Sequence, residues 1–499
     1  MPKNKTDFFE KILRKDILLI ILIAGAGTLL RIVFLNARSL TFDEGASLMF
    51  TKASLPDMIQ GTMADVHPPL YFLILHFWAK INSSLIFLRF LSTIFGIASI
   101  FLMGFVGKKF FGSKVGILVT LITALSPAFI FESTNLRMYS LGIFESILIL
   151  YFFFQFLKNQ NLFNSLGLLL STIFGFYTHY YFALAAINLN IFILLNYARD
   201  RKILRVWFWL QACLIISSLP LIFGYFQSAH PQLFPAPNSL LKIPGVFASF
   251  IISWDALQIL KIYPFIALNT LFLSYVSLVF IFSFFFLYGL KNSKKNSLFF
   301  SLSLYYLFFP IFFVAFYSFF VKPIFGLRSF IIFSVPFYSL VALGLSKLKG
   351  SFFKVSLFLL ATLFLLLQYQ GFQNSWQSVA PYYFVKENVQ EGDLVAYSDP
   401  SLLIPGRYYL EHQENFALVP TWLSPETAEA LGYKEKELKN LQFTSSRLWY
   451  FLLEPQYFNG DLAQKKQKEL ETDYLVILSK NYKDLNLRIT LFDLTQKSP

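Results

Sequence analysis

Two carboxylates stand side by side in Thr41-Phe42-Asp43-Glu44-Gly45. Adjacent carboxylates raise one another's pKa, and partial burial exaggerates the effect, so such a pair suits general-base work or a divalent cation. It equally suits a helix start, where acidic side chains favour the dipole. Further along, Asp65-Val66-His67-Pro68-Pro69-Leu70-Tyr71 sets an acid, an imidazole and a phenol around two prolines that stiffen the approach to a helix. A third group holds Glu132, Asn135, Arg137 and Tyr139, a fourth His179, Tyr180 and Tyr181, and Lys322 and Arg328 follow. A guanidinium carries the planar donor fork that grips phosphate, although a cation at the end of an apolar run also snorkels to the interface. Glu145 lies deeper in an apolar run, where pairing inside a bundle is the expectation.

These groups lie between long apolar stretches. The chain of 499 residues is 56% hydrophobic and 14% charged and carries 63 Phe, more apolar surface than one water-soluble core hides, so the excess must face lipid. Runs long enough for a hydrocarbon layer of roughly 30 Å occur at about 17–35, 84–107, 115–131, 137–157, 162–178, 180–197, 205–226, 267–290, 298–320, 329–346 and 352–370. They predict an α-helical polytopic membrane protein of about 11 transmembrane helices, the first run being a retained anchor rather than a cleaved signal.

The net charge of +14 is spread in short clusters between the runs, which argues for topology signals and against a nucleic-acid partner. With the N-terminus in the cytoplasm, Lys108, Lys109, Lys114, Lys158, Arg199 to Arg205, Lys291 to Lys295 and Lys347 to Lys354 all fall on that side. Pro68 to Ile81 is too short to span and reads as an external interfacial helix with Trp78 and Lys80 near its end. Cys213, in an apolar run, reads as a small packing residue.

An odd number of spans leaves residues after about 372 outside, and their composition shifts to Glu387, Glu391, Asp393, Glu426 and Glu429. Two domains are expected: 1–371 in the membrane, with an external catalytic loop at 36–83, and 372–499 as a soluble extracytoplasmic α/β domain. In the latter, Leu394 to Tyr397, Leu448 to Leu453, Tyr474 to Leu478 and Ile489 to Leu494 read as strands, and Ser424 to Asn440 as a helix behind a Ser-Pro cap. Asp393, Arg407 and His412 are scattered and read as solvated surface.

In the order Asp43-Glu44-Gly45, Asp65-Val66-His67-Pro68-Pro69-Leu70-Tyr71, Arg137-Met138-Tyr139 and His179-Tyr180-Tyr181, the chain resembles bacterial family 39 glycosyltransferases. These are relatives of protein O-mannosyltransferases and of the aminoarabinose transferase that modifies lipid A. The resemblance covers about residues 17–350. It implies the GT-C architecture: a cavity at the external membrane face takes a polyprenyl-phosphate sugar from the lipid side and an acceptor glycan, lipid or protein from outside. Transfer would invert the anomeric centre in a bacterial inner membrane. Carried over, Asp43 is the base, Glu44 orients the acceptor or tunes that base, His67 lies near the carrier phosphate, and Arg137 is a second phosphate or cavity contact. Asp65, Tyr71, Glu132, Tyr139, His179, Tyr180 and Arg328 complete the expected substrate-binding set.

One departure is Thr134-Asn135-Leu136-Arg137, where relatives often show Gln-Glu-Ala-Arg; Glu132 is the nearest carboxylate. No soluble nucleotide-sugar site is expected, and the chemistry accommodates a divalent ion bridging carboxylate and phosphate. A transporter or flippase of a lipid-linked sugar is the competing reading, since it would share the bundle and the phosphate-binding cations. A receptor built on a vestigial transferase fold is a third.

Overall fold

The computed structural model describes residues 3–36, 38–65, 67–227, 239–252, 270–292, 298–377, 379–421, 423–433, 435–436, 446–453, 460–482 and 485–497. The chain divides into two compact units. One comprises Met1–Asn36, Ile81–Phe223 and Leu233–Phe372, the other Ala37–Lys80, Gly224–Gln232 and Gln373–Pro499.

The first unit is helical. With helices numbered along the whole chain, it contains α1 (Lys3–Phe34), α5 (Leu85–Phe111), α6 (Ser113–Leu125), α7 (Pro127–Ser133), α8 (Tyr139–Lys158), α9 (Leu162–Thr178), α10 (Phe182–Tyr197), most of α11 (Arg201–Gln227), α12 (Ile243–Ile251), α13 (Thr270–Asn292), α14 (Leu298–Phe320), α15 (Val335–Ser346) and most of α16 (Gly350–Gln377). Among the described residues each of the eleven expected runs overlaps helix, with 115–131 bent into two helices and 329–346 divided between a 3-10 turn and α15. Among the described residues, however, only five helices are long and apolar enough to cross a membrane, or six if the bent pair α6–α7 counts as one span. The protein is thus a membrane protein of several apolar helices, some shorter than a straight crossing requires.

The 62° bend between α6 and α7 has an identifiable cause. Pro127 begins α7 and lacks the N–H that would continue α6, while the Ser126 hydroxyl caps the new helix by accepting from Phe129 N at 3.4 Å. The carbonyls stranded at the end of α6 are taken up by Arg31 of α1, whose guanidinium donates to Ala124 O at 3.0 Å and Thr123 O at 3.1 Å. Helices also approach closely where side chains are absent. A Cβ on Gly27 would lie 2.7 Å from Ala124 Cβ, and one on Gly344 would overlap the backbone of α13 at Phe285.

Basic side chains mark one end of this bundle. Lys108 pairs with Asp16 at 3.9 Å, Lys109 donates to Tyr151 OH at 3.0 Å, and Lys114 donates to Leu348 O at 3.3 Å, helping to close the chain after α15. Lys158, at the same end of α8, lies over the Phe154 ring. Tyr139 starts α8, so it stands at the opposite end, about 30 Å away along the axis.

The second unit joins an early loop to the tail. The loop forms α2 (Phe42–Lys52), α3 (Leu55–Asp65) and α4 (Leu70–Ala79). The tail has α17 (Ala380–Asn388), β1 (Leu394–Tyr397), α18 (Pro400–Tyr409), β2 (Glu414–Ala417), α19 (Pro425–Ala430), β3 (Arg447–Leu453), α20 (Gly460–Asp473), β4 (Leu475–Tyr482) and β5 (Leu487–Asp493). The strands make one sheet in the order β2-β1-β3-β5-β4, parallel across β2-β1-β3 and antiparallel across β3-β5-β4. Alternation splits its core: Val395, Tyr397, Trp449 and Phe451 enter one cluster, Leu394, Ala396, Leu448 and Tyr450 the other.

Four sequence expectations need correcting. The helix expected over Ser424 to Asn440 is the short α19, with residues 437–440 outside the described ones. Asp393 is buried and binds Trp449 Nε1 at 2.9 Å and Arg447 at 3.2 Å, so only His412 of the scattered trio is solvated surface. Arg407 is partly buried and donates to Leu431 O at 2.9 Å, linking α18 to the end of α19. Cys213 is exposed on α11 rather than packed.

Candidate active site

The candidate residues fall into two sets, one in each unit. In the loop-and-tail unit, Thr41 caps α2. Its hydroxyl accepts from Glu44 N, and Glu44 Oε2 accepts from Thr41 N, both at 3.3 Å, a reciprocal capping box. The adjacent carboxylates are therefore unlike. Glu44 is fully buried and closes the first helical turn, whereas Asp43 is half-buried. Both lie in the first turn of α2, at the positive end of the helix dipole.

Asp65 ends α3 and is half-buried. The chain then turns sharply, with His67 N donating to Thr62 O at 3.2 Å, and Pro69 caps α4. His67 is buried with its ring 6.5 Å from that of Phe72, and Tyr71 is fully buried. Phe72 in turn meets Phe50 of α2 edge-on at 5.3 Å, so aromatic packing sets the angle between α2 and α4. The ten residues of α4 reach about 15 Å, half a bilayer core.

In the helical unit, the corner between α7 and α8, the joint between α9 and α10 and a 3-10 turn at Arg328–Phe333 bring the second set together. Arg328 grips Glu132 bidentately, Nε to Oε1 at 3.0 Å and Nη2 to Oε2 at 2.9 Å, with both side chains buried. Its guanidinium lies 4.4 Å from the Tyr139 ring centroid and 5.2 Å from that of Phe131. The Tyr139 ring is 6.0 Å from His179. His179 accepts at Nδ1 from Tyr181 N at 3.1 Å, so its proton sits on Nε2. Burial and then the charge of Arg137 push the His179 pKa down to about 3, so this imidazole is neutral across the physiological range.

Arg137 is held by its backbone: its N–H donates to Asn135 O at 2.8 Å and its carbonyl accepts from Ser92 Oγ at 3.1 Å. The Asn135 carboxamide is fully buried and has no hydrogen-bond partner among the described residues. Tyr180 is half-buried at the α9–α10 joint. Lys322 is exposed and outside the cluster.

Sequence reasoning passed over Arg31, Phe131 and Ser133. Arg31 is fully buried and donates through Nε to Ser133 Oγ at 3.1 Å, next to Glu132 in the chain. An arginine inside an apolar run was the available signal. Glu145 is buried inside the bundle, its Oε1 accepting from Thr178 Oγ1 at 2.8 Å, a partner the sequence did not name. Among the described residues no three His, Cys, Asp or Glu side chains come together as a metal site, so a divalent ion at the acidic pair would need substrate oxygens as further ligands. An apolar groove of about 820 Å³ runs along α14 between Leu304 and Val321, and none of the candidate side chains lines it.

The family model for dolichyl-phosphate-mannose-protein mannosyltransferases matches residues 66–223. Among curated proteins no sequence matches. ArnT from Cupriavidus metallidurans in the apo state is similar in fold, with a TM-score of 0.60 at 10% identity over 96% of this chain and 99% of that one. The same protein bound to undecaprenyl phosphate gives 0.55 at 11% identity over 95% and 98%. The oligosaccharyltransferase of Archaeoglobus fulgidus gives 0.47 at 11% identity over 87% and 68%. The resemblance carried by the sequence motifs is thus shared by a family match and by the fold.

Proposed function

We propose that the chain is an inverting glycosyltransferase that moves a sugar from a polyprenyl-phosphate carrier to an extracytoplasmic glycan, lipid or protein. In this reading eleven spans cross the inner membrane, the N-terminus is cytoplasmic and the tail is outside. The observation that carries it is the buried Arg137–His179–Tyr139–Arg328–Glu132 cluster, at the end of the bundle opposite the lysines and largely within the family-matched segment. Lysines favour the cytoplasmic end of a bundle, which supports an external position for this cluster. The donor class is extended from ArnT, one structure of which holds undecaprenyl phosphate.

Lipid phosphate is already a good leaving group, so catalysis needs its charge held as the glycosidic bond breaks and a base on the acceptor. Arg328 gives its donor fork to Glu132, so we assign the phosphate first to Arg137, with neutral His179 able to donate from Nε2. Arg328 then acts as a positioning residue that sets Tyr139. Half-buried Asp43 takes the proton of the acceptor hydroxyl as its oxygen attacks the anomeric carbon, and the bond to the phosphate oxygen breaks on the far side. Buried Glu44 fixes the helix that presents Asp43. Asp65, His67, Tyr71 and Tyr180 are assigned to binding of substrate.

The test is transfer of radiolabelled sugar from a panel of polyprenyl-phosphate sugars to membrane extracts, with wild type and Asp43→Asn purified in the same detergent. Label with wild type alone supports the enzyme and names its donor. No label from any donor, with both proteins folded, moves the weight to transport, where Glu145 within α8 would be the group to examine.

A further inference from the structure

We propose that the C-terminal tail is a clamp that positions the Asp43 helix for catalysis, with Gly45, Gly61, Tyr409 and Thr427 as its positioning residues. The proposal rests on the reading of Asp43 as the base.

The loop helices touch the tail at two separate places. At the first, α2 meets α18 so closely that a Cβ on Gly45 would lie 2.7 Å from Ile404 Cγ2. Beside it, Leu40 N donates to Tyr409 OH at 2.8 Å across 369 residues of sequence. At the second, α3 meets α19. A Cβ on Gly61 would lie 2.5 Å from Ala430 Cβ, and Thr427 Oγ1 donates to Gly61 O at 3.0 Å across 366 residues. Asp43 lies between Leu40 and Gly45, inside the first contact.

Both jaws are braced. Asp399 caps α18 by accepting from Ser401 N at 2.7 Å, Tyr382 OH donates to Leu402 O at 3.1 Å, and Gly406 lets α18 settle on Tyr397 of β1. Ser424 Oγ holds Thr427 Oγ1 at 2.8 Å, and Arg407 of α18 bonds the carbonyl that follows α19. The two contacts hold consecutive helices, α2 at the first and α3 at the second, joined only through Ala53 and Ser54, so α2 is fixed directly on α18 and, through α3, on α19. A single contact would leave the helix free to pivot about it. This gives the glycine of Asp43-Glu44-Gly45 a reason of its own, because any side chain there would push α2 off α18.

The experiment is a volume swap, with transfer and hydrogen exchange measured in the full-length protein. Gly61→Ala improves intrinsic helix propensity, so a loss points to the clash with Ala430. We expect transfer to fall by about a hundredfold, the scale of a misplacement near 1 Å. Exchange within Phe42–Lys52 should rise while β1 and β3 stay protected. Gly61→Ala/Ala430→Gly should restore both readings. Tyr409→Phe, which keeps the ring and removes the acceptor for Leu40 N, should lower transfer by about tenfold. Wild-type transfer in Gly61→Ala, or a loss that the swap does not restore, overturns the clamp. So does raised exchange without loss of transfer. Asp43→Asn run alongside separates the two readings: if it transfers normally, Asp43 is not the base, and the clamp then stands or falls on the exchange and its reversal in the swap.

Discussion

Asp43 and Arg328 are held by opposite means. The loop helices that carry and follow Asp43 owe their place to close contacts: a capping box on α2, a glycine without room for a methyl group on each of α2 and α3, and single hydrogen bonds to Tyr409 and Thr427. Arg328 is held by charge, in a buried two-point bond to Glu132 with aromatic rings beside it. The first arrangement leaves the Asp43 carboxylate half-buried. The second ties a carboxylate to a guanidinium within a buried cluster that also holds Arg137 and a neutral His179. A site built by volume should be sensitive to added methyl groups, and one built by charge to lost partners.

That contrast can be broken at several points. Asp43→Asn is expected to lower transfer by about a hundred- to ten-thousandfold with an unchanged melting profile, as for removal of a general base; retained transfer would make Asp43 only a helix-start residue. Glu132→Ala leaves Arg328 buried without its counter-charge and should cost about 3–5 kcal/mol in denaturant unfolding. A much smaller cost would mean that the pair is not what orders the α7–α8 corner.

His179 tests the electrostatics by pH. Its folded pKa is about 3 against an ordinary value of 6.5, so within that window the unfolded chain binds a proton that the folded chain does not. The associated stability is complete above the ordinary value and is lost as pH falls toward the folded one. Between about pH 6.5 and pH 5, His179→Gln should lose about 2 kcal/mol less than wild type in unfolding measurements. Equal slopes would place the imidazole in contact with water. The smallest effect is expected of Thr41→Ala, which opens the capping box for about 1 kcal/mol. Because Glu44 N loses its acceptor there at the start of the Asp43 helix, transfer should fall with stability, and an unaltered rate would confine the box to folding.

Much of this arrangement was legible in the amino-acid order. Apolar runs marked the helices of the first unit, since a segment's hydrophobicity is a local property. The spacing of Asp43-Glu44, the His67-Pro68-Pro69 corner and Arg137-Met138-Tyr139 marked the candidate residues. Short runs rich in aliphatic and aromatic residues marked four of the five strands, with β1 at its observed bounds. Strand β2 escaped because its four residues, Glu414–Ala417, begin with an exposed Glu and an Asn and carry little apolar pattern. The bend at Ser126-Pro127 was hidden inside one apolar run, because hydropathy does not register where the hydrogen-bond ladder stops.

Composition, local periodicity and motif order by themselves determined that the chain is a helical membrane protein with an α/β tail, and which short segments carry reactive groups. Tertiary structure alone decided that Glu132 belongs to Arg328, 196 residues away, that Glu44 caps while Asp43 is left half-exposed, and that the early loop folds with the tail. Local patterns are written in neighbouring residues, whereas these pairings depend on which helix ends and which small side chains meet once distant parts of the chain have packed.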